Sequence, residues 1–145
     1  MTLLENPYFV VPLIAWAIAQ TSKVIVDSVI LHRFSVRRLA TAGGMPSSHS
    51  ALVVALTTII GRLEGVQSPL FAMALIFSTV VMYDATGVRR AAGQQAMILN
   101  RLIDDLFIAH QGLRQERLRE LLGHTPIEVI AGALLGIIVG LGIWR

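Results

Sequence analysis

Long apolar runs are the feature that most restricts how this chain can fold. Four segments are almost wholly apolar, and they cover residues 8–31, 50–60, 69–83 and 126–144. A bilayer span takes about 20 apolar residues and must satisfy its own backbone, so each segment is predicted to be a helix. Charged residues make up only 14% of the chain, against about 25% in soluble domains. We therefore expect a single all-α domain over residues 1–145, an integral membrane bundle of about four transmembrane helices.

The arginines lie unevenly between these segments. Nine follow the first segment or separate the third from the fourth, whereas Arg62 and Arg145 lie at the other ends. Positive residues favour the cytoplasmic side, so this bias predicts a multi-pass protein with both termini on the opposite side. The same bias accounts for the net charge of +3, and nucleic acid is not an expected partner.

The stretch over residues 94–122 is predicted to lie on the cytoplasmic surface rather than to span. Its apolar side chains recur at helical spacing, with polar and charged side chains on the other face. This pattern is typical of amphipathic helices in the membrane interface. They either connect the spans and cover the cytoplasmic surface or form a lid or platform for lipid entry.

A histidine with two hydroxyl residues opens the second apolar segment, in the run Gly43-Gly44-Met45-Pro46-Ser47-Ser48-His49. Glycines permit turns and close approaches, and Ser47 or Ser48 can cap the helix that follows. A helix N-terminus offers free N–H groups to a phosphate, and His49 would lie beside it. The alternative is an ordinary capped helix with an interfacial histidine.

A second histidine opens the fourth apolar segment, in the run Gly123-His124-Thr125-Pro126-Ile127-Glu128. Thr125 and Glu128 form a capping box with proline at the first helical position. His124 and Glu128, four residues apart, would also face each other, so that the carboxylate holds one ring nitrogen and leaves the other nucleophilic. The two interpretations are compatible.

We call residues 43–49 and 123–128 the first and second histidine entrances. Cationic side chains flank both of them. Lys23 lies inside the first apolar segment, where an ionisable group is costly and normally serves a site, unless it only neutralises Asp27. Arg89 and Arg90 follow the third segment and either bind phosphate or anchor the span to headgroups.

Taken together, these residues resemble the type-2 phosphatidic acid phosphatase superfamily, and above all its small divergent membrane branch. Pro46-Ser47-Ser48-His49 is similar to the Pro-Ser-Gly-His motif, His124 with Glu128 to the third motif, and Lys23 to the lysine that opens the first. Ser48 replaces glycine and Glu128 replaces aspartate. Ile30 and Leu118 stand where the family has phosphate-binding arginines.

The resemblance implies a membrane phosphatase that hydrolyses a lipid or isoprenoid phosphate, as a phosphoric monoester or diphosphate, without metal or cofactor. It implies His124 as nucleophile, His49 as acid and base, and Glu128 as the group that orients His124. The phosphate would be bound by Lys23, Ser47, Ser48, Arg89 and Arg90. The alternative is a non-catalytic protein that binds or transports lipid phosphate or serves as a scaffold. Four spans make a thin bundle, so a homodimer could cover Lys23.

Overall fold

The fold is built from helices throughout the part of the chain that is described. The structure is a computed structural model; it describes residues 2–31, 44–107 and 123–143, with side chains except at 26–31, 89 and 104–107. These residues form a 3-10 turn at Leu3–Glu5 and five α-helices, namely α1 (Pro7–Leu31), α2 (Ser48–Leu63), α3 (Pro69–Thr86), α4 (Val88–Phe107) and α5 (Pro126–Gly142). The prediction of an all-α helical bundle is confirmed.

Within the described residues, two stretches are long and apolar enough to cross a membrane, Pro7–Ile25 and Pro69–Ile103. The apolar helices α2 and α5 are shorter, with 16 and 17 residues. At 1.5 Å per residue each is about 25 Å long, somewhat less than the hydrocarbon thickness of about 30 Å. The second long stretch covers two helices, α3 and α4, which Gly87 separates.

Helix α4 begins earlier than the amphipathic pattern suggested. It starts at Val88 rather than near residue 94, because Gly87 interrupts the helical path for one residue only. The N–H of Ala91 already bonds to the carbonyl of Gly87, so the new helix begins at once. The predicted second amphipathic stretch, residues 113–122, lies outside the described residues.

Helix α2 lies at the centre of the bundle and contacts α1, α3 and α5. Its contact with α5 is a seam of small residues. A Cβ on Gly132 would lie 2.2 Å from the Ser47 carbonyl oxygen, one on Gly136 2.6 Å from that of Ala51, and one on Gly140 2.6 Å from Thr58 Cβ. Glycine every four residues therefore lets the two backbones touch, as in membrane helix pairs. The contacts advance together along both chains, so α2 and α5 run parallel.

A pair of buried hydroxyl groups joins α2 to α3. Thr57 Oγ1 lies 2.7 Å from Ser78 Oγ, and each of these oxygens lies 2.9 Å from the Val53 carbonyl oxygen. Because each hydroxyl has one proton, one of them donates to the other, which donates to the carbonyl. Buried polar groups are costly unless they are hydrogen-bonded, and these satisfy each other. They join α3 to α2, and the short connection over residues 64–68 makes the two helices antiparallel.

Polar contacts also close the end of the bundle away from the histidines. Arg62 Nη1 donates to the carbonyls of Leu141, at 2.8 Å, and Gly140, at 3.4 Å. These carbonyls lie in the last turn of α5, where the helix leaves them without internal partners. Tyr8 donates its hydroxyl proton to Glu64 at the same end.

Candidate active site

The two histidine entrances lie together at one end of the bundle. Because α2 and α5 run parallel in contact, their N-termini are neighbours, and the Ser47 N–H donates to the Glu128 carbonyl at 2.9 Å. The ring centroids of His49 and His124 are 6.4 Å apart, with the ring planes at 60°. Two motifs separated by 75 residues thus form one cluster of side chains.

The first entrance is organised by Ser47, which is fully buried. Its Oγ accepts the N–H of Ser50 at 3.4 Å and the hydroxyl of Ser50 at 3.1 Å, so Ser47 is the cap of α2. Gly44 has a φ of 86°, a left-handed conformation that glycine adopts without strain, and it turns the chain into this cap. Ser48 becomes the first residue of α2, and His49 lies exposed in the first turn.

Lys23 reaches this entrance from α1. Its side chain is 4% exposed, and its Nζ donates to Ser48 Oγ at 3.2 Å. The Gly44 turn lies next to the lysine's aliphatic stem, since a Cβ on Gly44 would be 3.9 Å from Lys23 Cγ. The ammonium therefore lies at the start of α2, at its N-terminal end. The Asp27 side chain, its alternative partner, is outside the described side chains.

The second entrance contains both predicted contacts, the capping box and the pair of His124 with Glu128. Thr125 Oγ1 accepts the Glu128 N–H at 3.4 Å, and Glu128 Oε2 accepts the Thr125 N–H at 3.1 Å, which completes the capping box. The same Oε2 lies 3.0 Å from His124 Nδ1. One carboxylate oxygen therefore caps α5 and orients the histidine that precedes it.

His124 is held from several sides and enclosed. Its backbone N–H donates to the Ala85 carbonyl of α3 at 3.1 Å, and its side chain is 4% exposed. The other ring nitrogen, Nε2, is buried and has no hydrogen-bond partner within the described part of the chain. Buried polar atoms are nearly always paired, so an unpaired ring nitrogen next to a second histidine points to a ligand.

Arg90 makes a backbone contact that was not predicted from the sequence. Arg90 is exposed in the first turn of α4, and its backbone lies against the second entrance. A Cβ on Gly123 would be 2.4 Å from the Arg90 backbone nitrogen and 2.5 Å from its Cα. The backbone of Arg90 thus supports the loop that carries His124. The Arg89 side chain is outside the described side chains.

Two supports of the site were not among the residues predicted from the sequence. They are the Ala85 carbonyl, which holds the His124 backbone, and Gly132, which admits the Ser47 carbonyl. The spacing Gly132-x3-Gly136-x3-Gly140 is a visible signal for a close helix contact. No sequence signal marks a backbone carbonyl such as that of Ala85.

Comparisons with known proteins bear on the family of this chain. The sequence profile described as the divergent PAP2 family matches residues 4–139. The uncharacterized membrane protein YuiD of Bacillus subtilis (strain 168) is 42% identical over 151 residues, which cover 97% of this chain and 96% of that protein. No solved structure matches. The apolar helices and this relative identify a membrane protein, and the profile match over nearly the whole length shows that the chain belongs to the divergent PAP2 family.

Proposed function

We propose that this protein is a membrane phosphatase that hydrolyses a lipid or isoprenoid phosphate through a phosphohistidine intermediate. The observation that carries the proposal is the state of His124. Its Nδ1 lies 3.0 Å from the Glu128 carboxylate, its Nε2 is buried without a partner among the described residues, and the ring of His49 is 6.4 Å away. This arrangement suits a nucleophile with a proton donor beside it.

In the first step His124 attacks phosphorus. An ionised Glu128 accepts a hydrogen bond from Nδ1–H, so Nε2 carries the lone pair. That lone pair forms the N–P bond as the bond from phosphorus to the leaving oxygen breaks. His49 gives its proton to this oxygen, and Glu128 stabilises the positive charge that develops on the His124 ring.

In the second step water removes the phosphoryl group. His49, now neutral, takes a proton from a water molecule, and the water oxygen attacks phosphorus. The N–P bond breaks, inorganic phosphate is released, and the electron pair returns to His124 Nε2. The exposed position of His49 supports this role, because the proton it carries must exchange with solvent.

Phosphate oxygens would be bound at the first entrance. The N-terminus of α2 would present the backbone N–H of Ser48, its first residue, and Lys23 Nζ donates to Ser48 Oγ. The N–H of Ser47, a predicted phosphate ligand, already donates to the Glu128 carbonyl, so Ser47 contributes as the cap that fixes this N-terminus. Arg90, and Arg89 next to it in the chain, are the proposed replacements for the family's arginines. Fixed donors of this kind stabilise the charge of the transferring group.

The proposed orientation follows the arginine bias of the sequence. The site end of the bundle would face the cytoplasm, with both termini on the opposite side and several helices crossing the bilayer. Lipid phosphates would then reach the site from the cytoplasmic leaflet. Because Nε2 is covered, neighbouring side chains must move aside when the substrate enters.

The test is phosphate release and covalent labelling by the purified protein in lipid nanodiscs. Phosphatidic acid and an isoprenoid diphosphate, each with labelled phosphate, would be mixed with wild type and His124→Ala. We expect wild type alone to release phosphate and to carry an acid-labile, alkali-stable label. Thr79→Ala, at an exposed hydroxyl of α3, is the matched control and should behave as wild type.

Equal release by wild type and His124→Ala would contradict the proposed mechanism. A label on wild type that is stable in acid would also contradict a phosphohistidine. The melting temperature of each variant shows whether a loss of activity comes from a loss of fold.

One observation favours the second function, a non-catalytic lipid-phosphate-binding protein. Lys23 Nζ is engaged by Ser48, a residue where the family has glycine, and His124 Nε2 is enclosed. Both features suit a closed site that binds a headgroup and keeps water out. Tight, His124-dependent binding of phosphatidic acid without any phosphate release would support this function and exclude the first.

A further inference from the structure

Helix α4 has two different faces, and only one of them packs against the described part of the chain. Gly93, Ala96 and Asn100 are buried and lie on one side of the helix. The opposite side carries apolar side chains that are well exposed, namely Val88 (64%), Ile98 (59%), Leu99 (47%) and Leu102 (51%). At 100° per residue these four fall within one arc of about 100°, which we call the apolar stripe. The exposed Gln95 lies in the same arc and interrupts the stripe between Val88 and the other three residues.

Arginines border this stripe along one edge. Arg90 and Arg101 are both exposed and lie eleven residues apart, which brings them to nearly the same angle around the helix. Gln94 lies between them on the same edge and is also exposed. The edge is therefore cationic and polar over about 16 Å, parallel to the apolar stripe.

The position of α4 in the chain indicates what covers the stripe. It follows α3 after one residue, and α3 is an apolar helix whose outer side chains are exposed along most of its length. The chain thus passes directly from an apolar, lipid-compatible helix into an amphipathic one. Exposed apolar side chains bordered by arginines are the pattern of a helix lying in a membrane interface with anionic lipids.

We propose that α4 lies on the surface of the bilayer. Its stripe of Val88, Ile98, Leu99 and Leu102 enters the boundary between headgroups and acyl chains, and the edge of Arg90 and Arg101 binds the phosphates of anionic lipids. Arg90 is shared with the proposed phosphate site, whereas the stripe, Gln94 and Arg101 lie outside the catalytic cluster. Lipid binding by these residues therefore does not depend on whether that cluster turns over.

The surface helix is mechanically joined to the candidate site. The Arg90 backbone lies against Gly123, and the Ala85 carbonyl, in the last turn of α3, holds the His124 backbone. The turn between α3 and α4 is therefore in contact with the loop that carries His124. Binding of α4 to the bilayer surface would therefore fix the position of that turn relative to the bilayer.

The chain contains no cysteine, which allows a direct test of this proposal. Leu102→Cys on the stripe and Gln94→Cys on the polar edge would each carry a single spin label, in vesicles of phosphatidylcholine with and without phosphatidylglycerol. Both positions are exposed, so neither label needs to be accommodated inside the bundle.

With phosphatidylglycerol, we expect the label at position 102 to be accessible to oxygen and shielded from a water-soluble nickel complex. Its depth should be about 5–10 Å below the phosphates. The label at position 94 should show the reverse accessibility. Adding Arg101→Gln should lower the ratio of shielded to exposed label at position 102 about fivefold. One basic residue near an anionic surface changes the membrane-binding constant by about that factor.

Three results would overturn the proposal. A water-exposed label at position 102 in both kinds of vesicle would show that the stripe does not enter lipid. A label at position 94 that is accessible to oxygen and shielded from the nickel complex would show that α4 spans. Dipolar coupling between labels at position 102 would show that a second copy covers the stripe. None of these readouts uses phosphatase activity, so they fail or succeed independently of the proposed function.

Discussion

The two histidine entrances are built alike but hold their histidines differently. In each, a hydroxyl residue caps a helix, and the two capped ends are adjacent. His49 lies two residues after its cap, Ser47, and is exposed. His124 lies one residue before its cap, Thr125, where its ring folds back onto Glu128 and is buried. The position of a histidine relative to the cap thus decides whether it faces solvent or is fixed by the helix.

This difference suits a division of roles. A nucleophile benefits from a fixed ring with one nitrogen engaged, whereas a group that carries protons to and from water benefits from exposure. The comparison predicts that substrates with different leaving groups will distinguish the roles of the two histidines. It also predicts that substitutions in the two entrances will have different effects on catalysis and stability.

The largest effect should come from the histidines themselves. On a lipid phosphate, His124→Ala should abolish release, and His49→Ala should slow it by about a hundredfold to ten-thousandfold. A nitrophenyl phosphate leaves without a proton, so with this substrate His49→Ala should form the phosphohistidine rapidly and accumulate it, as a quench-flow label assay would show. If the two variants lowered the rate by the same factor with both substrates, the division of roles would be wrong.

Gly132→Ala should have the next largest effect, because it moves the two entrances apart. Its Cβ would lie 2.2 Å from the Ser47 carbonyl oxygen, so α2 and α5 must move apart. We expect a loss of about 1–3 kcal/mol in the free energy of unfolding and about a hundredfold in kcat, since catalysis is sensitive to displacements of about 1 Å. Chemical denaturation measures the free energy of unfolding, and kinetic assays measure kcat.

Gly142→Ala is the matched control on the same helix. A Cβ at that position meets nothing within 4 Å, so stability and rate should be nearly unchanged. Equal effects of the two alanines would show that the close contact at Gly132 is not what positions the site.

Changes inside the second entrance should separate its two roles. Glu128→Gln keeps an acceptor oxygen but removes the charge opposite His124, and we expect kcat to fall about tenfold to a hundredfold. Thr125→Ala removes only the cap hydroxyl, and should lower stability by about 1 kcal/mol without changing kcat. Loss of stability in both variants with no change in kcat would leave the capping box as the only role of Glu128.

The smallest effect should come from Ser48→Gly. This change restores the glycine of the family motif and releases Lys23 Nζ from its hydroxyl partner, so inorganic phosphate should bind more tightly, within about tenfold. Titration calorimetry measures the affinity. The gain should vanish in a Lys23→Met background, and its persistence there would show that it does not act through the lysine.

Features that depend on a few neighbouring residues could be predicted from the sequence. The capping box of Thr125 and Glu128 and the helix that follows are local, and the structure contains them. The choice between Ser47 and Ser48 as the cap of α2 stayed open, because both are good caps. It is decided by burial of Ser47 against α5, where its carbonyl meets Gly132.

Features that depend on helix packing could not be predicted. The glycine spacing in α5 indicates a close neighbour but does not name α2, and the arginine bias puts both entrances on one side without a distance between them. The support of His124 by Ala85 and of Gly123 by Arg90 involves backbone atoms, which every residue has. Such contacts follow from the topology rather than from residue type.

The parallel contact of α2 and α5 has an electrostatic consequence for the stability of the bundle. Each helix N-terminus carries about half a positive charge, so the two ends repel each other, and Lys23 adds a full positive charge beside them. Glu128 offsets part of this repulsion, and a bound anion would offset the rest. The site is therefore a region of unbalanced positive charge, and the folded bundle should be more resistant to heat when phosphate is bound than when phosphate is absent.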